Sequence, residues 1–149
     1  MSVDVSTSVI INRPRALVSS YAANPDNAPE WYVNIKAVEW KTLPPVVIGS
    51  HIAFVAHFLW RRMSYTYEVV ELVPGERLVM RTAEGPFPME TTYTWETTSD
   101  GATRMTLRNR GTPTGFSRWL APFMAGAMRR ANRKDLTALK KRLESPVPG

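Results

Sequence analysis

Val3, Val5, Thr7, Val9 and Ile11 alternate with Asp4, Ser6, Ser8, Ile10 and Asn12. This period of two predicts a first strand with one buried face. Asn12-Arg13-Pro14 reads as a cap and proline helix start, so Ala16 to Ala23 is predicted to be a short helix, ended by Asn24-Pro25. A second short turn or helix, Pro25 to Glu30, leads to Trp31 and Tyr32. Ile35 to Lys41 reads as strand two, before a Leu43-Pro44-Pro45 corner and Gly49. The β pattern then becomes dense. His51 to Trp60 and Met63 to Leu72 predict two long strands, and Val73-Pro74-Gly75-Glu76 a tight turn. Leu78 to Ala83, Met89 to Thr97 and Thr103 to Arg110 predict three more, separated by Gly85-Pro86-Phe87-Pro88 and by the hairpin signal Ser99-Asp100-Gly101. Strands joined so closely make an antiparallel meander.

The period changes at the end of the chain. Phe116, Leu120, Phe123, Met124, Ala127, Met128, Ala131, Leu136, Leu139 and Leu143 recur mostly at steps of three and four, which puts them on one face of an α-helix. Arg118, Arg129, Arg130, Arg133, Lys134, Lys140, Lys141 and Arg142 fill much of the rest. A helix of about 28 residues spans roughly 40 Å, and its apolar stripe has only the strands to cover it.

The 149 residues and 44% hydrophobic content suit one globular domain, 1–149, with a flexible tail from Ser145 to Gly149. The absence of cysteine excludes disulfides and thiolate chemistry. Met1 to Asn12 lacks a basic leader with a continuous apolar core, and no apolar run reaches the length of a membrane span, so a cytoplasmic protein is expected. The net charge of +6 is uneven: residues 1–100 carry eight basic and eleven acidic side chains, residues 101–149 eleven and two. No nucleic-acid recognition motif accompanies the basic helix, so its charges are expected to form a solvated outer face, with nucleic acid not a partner and membrane contact not favoured.

The order of strand, two short helices, about six strands and a long C-terminal helix, with Trp31 just after the short helices, resembles the START-like (SRPBCC, Bet v 1-like) superfamily of helix-grip folds. The phrases Pro29-Glu30-Trp31-Tyr32, Gly49-Ser50-His51-Ile52, Tyr67-Glu68-Val69-Val70-Glu71-Leu72-Val73-Pro74, Gly85-Pro86 and Asp100-Gly101-Ala102-Thr103-Arg104 are similar to those of its polyketide cyclase/dehydrase-like branch. The resemblance implies an α+β fold, in which a curved antiparallel sheet of about seven strands wraps the C-terminal helix and leaves an apolar cavity between them. It implies a hydrophobic small-molecule ligand, and it carries no universal catalytic signature.

Strand parity says which residues would line such a cavity. Ile52, Phe54, Ala56, Phe58 and Trp60 form the bulkier, wholly apolar face of strand three, leaving His51 and His57 outside. Those histidines stand about 20 Å apart along a strand, too far to share a metal, and two cannot make a three-histidine site. Tyr65, Tyr67 and Val69 are expected inward, as are Met89, Thr91, Tyr93 and Trp95, with Glu90 and Glu96 in solvent. Asn109 shares the inner face with Met105 and Leu107 and needs a hydrogen-bond partner there, another side chain or a ligand. Arg81 is ambiguous: it shares a face with Val79 and Ala83 against Leu78, Met80 and Thr82, and if inward it could hold a carboxylate or enolate oxygen. The helix contributes Phe123, Met124, Ala127 and Met128, flanked by Asn132. Such a stripe also suits a solid core; the resemblance favours the cavity.

The expected ligand wall is thus Trp31, Phe54, Phe58, Tyr65, Tyr67, Tyr93, Trp95, Asn109, Met124 and Met128, around an aromatic, polyketide-like or lipid-like molecule. No phosphate loop, serine elbow or metal-ligand set is present, and no metal or cofactor is expected. The alternative is a polyketide cyclase or dehydratase, with Tyr67, Tyr93, Asn109 and Arg81 steering a reactive chain by shape and a few hydrogen bonds. A further alternative is peripheral lipid transfer through the basic helix and Phe116-Trp119-Leu120. A monomer or homodimer fits each reading.

Overall fold

A computed structural model describes residues 3–58, 61–84, 88–112 and 121–145. Its elements are β1 (Val3–Ile11), α1 (Arg15–Ala23), a 3-10 turn (Pro25–Asn27), α2 (Ala28–Trp31), β2 (Ile35–Trp40), β3 (His51–Phe58), β4 (Arg61–Val73), β5 (Arg77–Glu84), β6 (Met89–Thr97), β7 (Thr103–Gly111) and α3 (Ala121–Glu144). The strands form one antiparallel sheet in the order β1-β7-β6-β5-β4-β3-β2, so the first strand closes on the last. This is the α+β helix-grip arrangement.

Local chemistry places the breaks. The Pro14 carbonyl accepts from Leu17 and Val18 N–H, both at 3.1 Å, and opens α1. The Asn24 side chain accepts from Asp26 N–H at 3.0 Å and turns the chain toward α2. At the β6–β7 hairpin Gly101 takes φ +85°, a left-handed conformation that a side chain disfavours. The sheet is not flat. Pairing shifts between Thr66 and Tyr67, between Val69 and Glu71 on β4, and between Ile35 and Ala37 on β2. Such bulges bend a strand and increase its twist, which curls this sheet toward one face.

Alternation assigns that face. Along β7, Thr103, Met105, Leu107 and Asn109 are buried while Arg104, Arg108 and Arg110 are exposed. The core runs from Ile11, Ile52, Phe54, Val69, Leu78 and Met80 through Tyr93, Trp95, Met105 and Leu107 to Val18, Ala22, Ala28 and Trp31 of the short helices. Leu136 and Leu139 bring the C-terminal half of α3 into it. The N-terminal half lies on β1 instead, where Ala125 and Met128 pack on Val3 and Val5.

Three contacts clip the far end of α3 to the end of β1. Glu144 Oε2 accepts from Asn12 N–H at 2.7 Å, Arg13 Nη2 donates to the Glu144 carbonyl at 3.0 Å, and Lys140 Nζ donates to the Ile10 carbonyl at 2.7 Å. Arg142 adds an ion pair to Glu30 at 3.1 Å. Arg129, Arg130, Arg133, Lys134, Lys141 and Arg142 are exposed, the solvated basic face expected of this helix.

Several boundaries differ from the sequence reading. Strand four begins at Arg61 rather than Met63, because Arg61 and Arg62 still pair with Phe58 and His57. Phe123 belongs to the expected apolar stripe yet is 76% exposed. At that level α3 meets β1 through Ala125 and Met128, which turns Phe123 away. The expected helix start at Phe116, the Phe116-Trp119-Leu120 entry, Trp60, the Phe58 side chain and the tail beyond Ser145 lie outside the described residues.

Candidate functional site

The concave face of the sheet carries an aromatic cluster whose members come from four elements. Trp31, at the end of α2, has its ring centroid 4.1 Å from that of Tyr32 and 5.9 Å from that of Tyr93. Tyr93 meets Trp95, two residues on along β6, edge to face at 6.0 Å. Phe54 and Tyr67, on β3 and β4, meet edge to face at 5.8 Å, and Tyr65 lies 6.2 Å from Tyr67. Alternation on the strands aims these rings inward, and α2 delivers Trp31 and Tyr32 from the open side.

Polar groups are threaded through this apolar surface in two sets. The first joins sheet to helix. Thr91 Oγ1 donates to Asn109 Oδ1 at 2.7 Å, and Asn109 Nδ2 donates to Asn132 Oδ1 of α3 at 3.1 Å. Burial pushes the Tyr67 phenol above its usual range, opposed by the adjacent Thr91 and Thr82 hydroxyls. Thr82 is committed to Met89, donating to its carbonyl and accepting from its N–H, both at 2.9 Å.

The second set is acidic. The Tyr32 and Tyr93 hydroxyls hydrogen bond to each other. Burial raises both phenols, and the neighbouring Asp135 carboxylate raises them further. Asp135 sits on α3, 3% exposed, with Oδ1 accepting from Val33 N–H at 2.8 Å. Burial lifts its pKa to about 7, and the Val33 N–H opposes the rise. A carboxyl that titrates near neutrality beside two phenols can give or take a proton.

Four buried polar side-chain atoms have no hydrogen-bond partner among the described residues: Thr7 Oγ1, Trp31 Nε1, Trp95 Nε1 and Asn132 Nδ2. A group buried in this way costs about 1–3 kcal/mol unless something accepts or donates to it.

A family model described as polyketide cyclase / dehydrase and lipid transport matches residues 2–144. The chain belongs to that family. No curated protein sequence matches it. Solved structures agree on the fold at low identity. A Thermus thermophilus protein superposes with a TM-score of 0.81 at 18% identity, over 94% of this chain and 96% of its own. An aromatase/cyclase from a Streptomyces species gives 0.80 at 15%, over 97% and 98%. A START superfamily protein from Mycobacterium smegmatis gives 0.79 at 13%, over 95% and 97%.

In this member of the polyketide cyclase / dehydrase and lipid transport family, the expected wall residues separate into groups. Trp31, Phe54, Tyr93 and Trp95 lie in the core cluster, with Tyr67 packed against it and Tyr65 half-buried beside Tyr67. Met128 packs on Val3 and Val5, away from those rings, and Met124 is half-buried. Asn109 faces inward, and its partners are Thr91 and Asn132. Arg81 is corrected. It is exposed on the convex face and pairs with Glu90 at 3.0 Å, so it holds nothing inside. The reason is that β5 buries Val79 on the outer face as well as Leu78 and Met80 on the inner one, which hides its parity. Glu90 bridges Arg81 and Arg110, and His57 is exposed on the outside.

Tyr32 and Asp135 were not singled out by sequence reasoning. Asp135 had a signal: it falls seven residues after Met128 on the apolar stripe, one of two acidic residues after Gly101.

Proposed function

We propose that the protein binds a small hydrophobic molecule, aromatic or polyketide-like, between the curled sheet and α3. One observation supports this most directly. The inner face gathers Trp31, Phe54, Tyr67, Tyr93 and Trp95, and the buried donors Trp31 Nε1, Trp95 Nε1 and Asn132 Nδ2 lie on that side without protein partners among the described residues. A solid core selects for satisfied donors, whereas an apolar pocket with a few convergent polar groups is how small molecules are held. The same reading takes the chain as one START-like domain acting in the cytoplasm as a monomer or homodimer. Among the described residues no helix is long and apolar enough to cross a membrane.

The test is native against denaturing mass spectrometry of freshly purified protein, followed by titration with a cavity-sensitive fluorescent dye. A ligand mass present only under native conditions, or saturable dye binding, agrees with the proposal. A bare mass together with no dye binding would refute it.

A second reading, cyclisation or dehydration of a bound polyketide, draws on Asp135 beside Tyr32 and Tyr93. An aldol step needs a proton taken from carbon and one returned to oxygen, and a carboxyl near neutrality can do both in turn. Incubation with aromatic-polyketide precursors tests it, and product distributions unchanged by the protein would count against it.

A further inference from the structure

Asn132 meets the sheet through its amide carbonyl, and its donor end is left unused. Thr91 Oγ1 donates to Asn109 Oδ1 at 2.7 Å, and the nitrogen of the same amide faces α3. Asn109 Nδ2 then donates to Asn132 Oδ1 at 3.1 Å. The Asn132 carbonyl is thereby occupied, and its Nδ2 takes no part in the bond to the sheet. Asn132 is 4% exposed, and Nδ2 has no partner among the described residues. Thr91 and Asn109 pair directly across β6 and β7, and Met80 and Val5 flank them in the same row of the sheet. The donor is therefore reached by a relay that begins on a central strand and ends on the helix.

A buried N–H₂ group costs free energy until an acceptor reaches it, and burying an anion there would cost far more than burying a neutral carbonyl. We propose that Asn132 is the specificity-determining residue of the ligand site, reading a ketone, quinone or similar carbonyl oxygen on a fused-ring ligand, with Asn109 as the residue that positions it. The proposal rests on the ligand site lying between sheet and α3, and it narrows the ligand class. Saturated lipid tails and plain hydrocarbons leave Asn132 Nδ2 unsatisfied and are disfavoured. Thr91 and Asn109 do not touch the ligand in this scheme; Asn109 engages the Asn132 carbonyl and leaves the N–H₂ for the ligand.

Fluorenone and fluorene make a matched probe pair, equal in shape and differing by a carbonyl in place of a methylene. Affinity for each is read by displacement of a cavity dye. Without a donor in the pocket, fluorene should bind more tightly, because the ketone gives up its hydrogen bonds to water. With Asn132 as reader, the wild-type protein should prefer fluorenone by about ten-fold or more. Asn132→Leu should bind fluorene at least as well as wild type and lose the ketone preference. Asn109→Leu, which frees the amide, should reduce the preference while retaining affinity for fluorene, a ratio that a merely structural role would not change.

Equal affinities in the wild type, or tighter binding of fluorene, overturn the inference while leaving the ligand site standing. Tighter binding of 9-fluorenol than of fluorenone also overturns it, since Asn132 would then be presenting its carbonyl. Binding of none of the three by a dye-binding protein removes the fused-ring class. Failure to bind dye or probe removes the ligand site and the inference with it. The wild-type comparison stands alone should either variant fail to fold.

Discussion

The hydroxyls of Tyr32 and Tyr93 meet inside the protein although 61 residues separate them in sequence. That bond ties the end of α2 to the middle of β6, and each phenol serves as the other's partner in a place where water is scarce. Removing one hydroxyl leaves the second buried and alone. Tyr32→Phe and Tyr93→Phe should each cost about 1–2 kcal/mol, while the double variant should lose less than the sum, because two apolar rings suit each other. Urea unfolding of the four proteins measures the coupling, and strict additivity would show that the hydroxyls do not interact.

Asp135 gives stability a pH dependence of defined sign. Its pKa is about 7 in the fold against 3.8 for an ordinary aspartate, so the folded state holds an extra proton over that interval. Stability must therefore fall as pH rises from about 4 to about 7, and level off above. Asp135→Asn keeps an acceptor for the Val33 N–H and cannot ionise. It should flatten that part of the profile and be more stable than wild type at pH 8, by on the order of 2–4 kcal/mol. Thermal unfolding across pH checks this; parallel profiles for the two proteins would contradict it.

Tyr65 is the place to narrow the proposed pocket. Tyr93 is 4% exposed and hydrogen bonded, so enlarging it would overpack the core. Tyr65 is half-buried beside Tyr67, and burial raises its phenol to about 12. Tyr65→Trp should lower dye affinity several-fold while changing stability by less than about 1 kcal/mol. Unchanged affinity would place the site elsewhere.

Arg81→Ala should leave ligand affinity unaltered, because the side chain sits on the convex face. Glu90 keeps Arg110, so the stability cost of this exposed pair should stay below about 1 kcal/mol. A marked loss of binding would reverse the placement of β5.

Gly101→Ala separates backbone strain from crowding. At φ +85° an added Cβ would meet nothing within 4 Å, so only the left-handed conformation opposes it. The expected cost is about 1–2 kcal/mol, seen as a lower unfolding midpoint with an unchanged m-value.

The regular parts of the fold were legible because alternation and helical spacing are local. Thr103 to Arg110 announced both of its faces, and Leu136, Leu139 and Leu143 announced the stripe of α3. Sequence parity failed where a strand is buried on both sides, as at Leu78, Val79 and Met80, and so could not orient Arg81. The site itself was half visible. Strand parity put Tyr67, Tyr93 and Asn109 on one face, but the partners of those groups arrive from elsewhere: Tyr32 from the end of α2, Asn132 and Asp135 from α3. A carboxylate on an apolar stripe reads as a spacer until the opposing phenols are known.

The pairing of β1 with β7 has a consequence during synthesis. The first strand made is the last to find its neighbour, since Val3 to Ile11 lie against Gly111 to Thr103. The strands from β3 to β7 can zip as successive hairpins while the chain is still growing, but the N-terminal strand must wait as an open edge. The helix that covers it is later still. So distant a closure places folding in the millisecond-to-second range rather than among the fast helical proteins. Until β1 docks, β7 is an open border of the sheet, the kind of edge that a holding chaperone would shield.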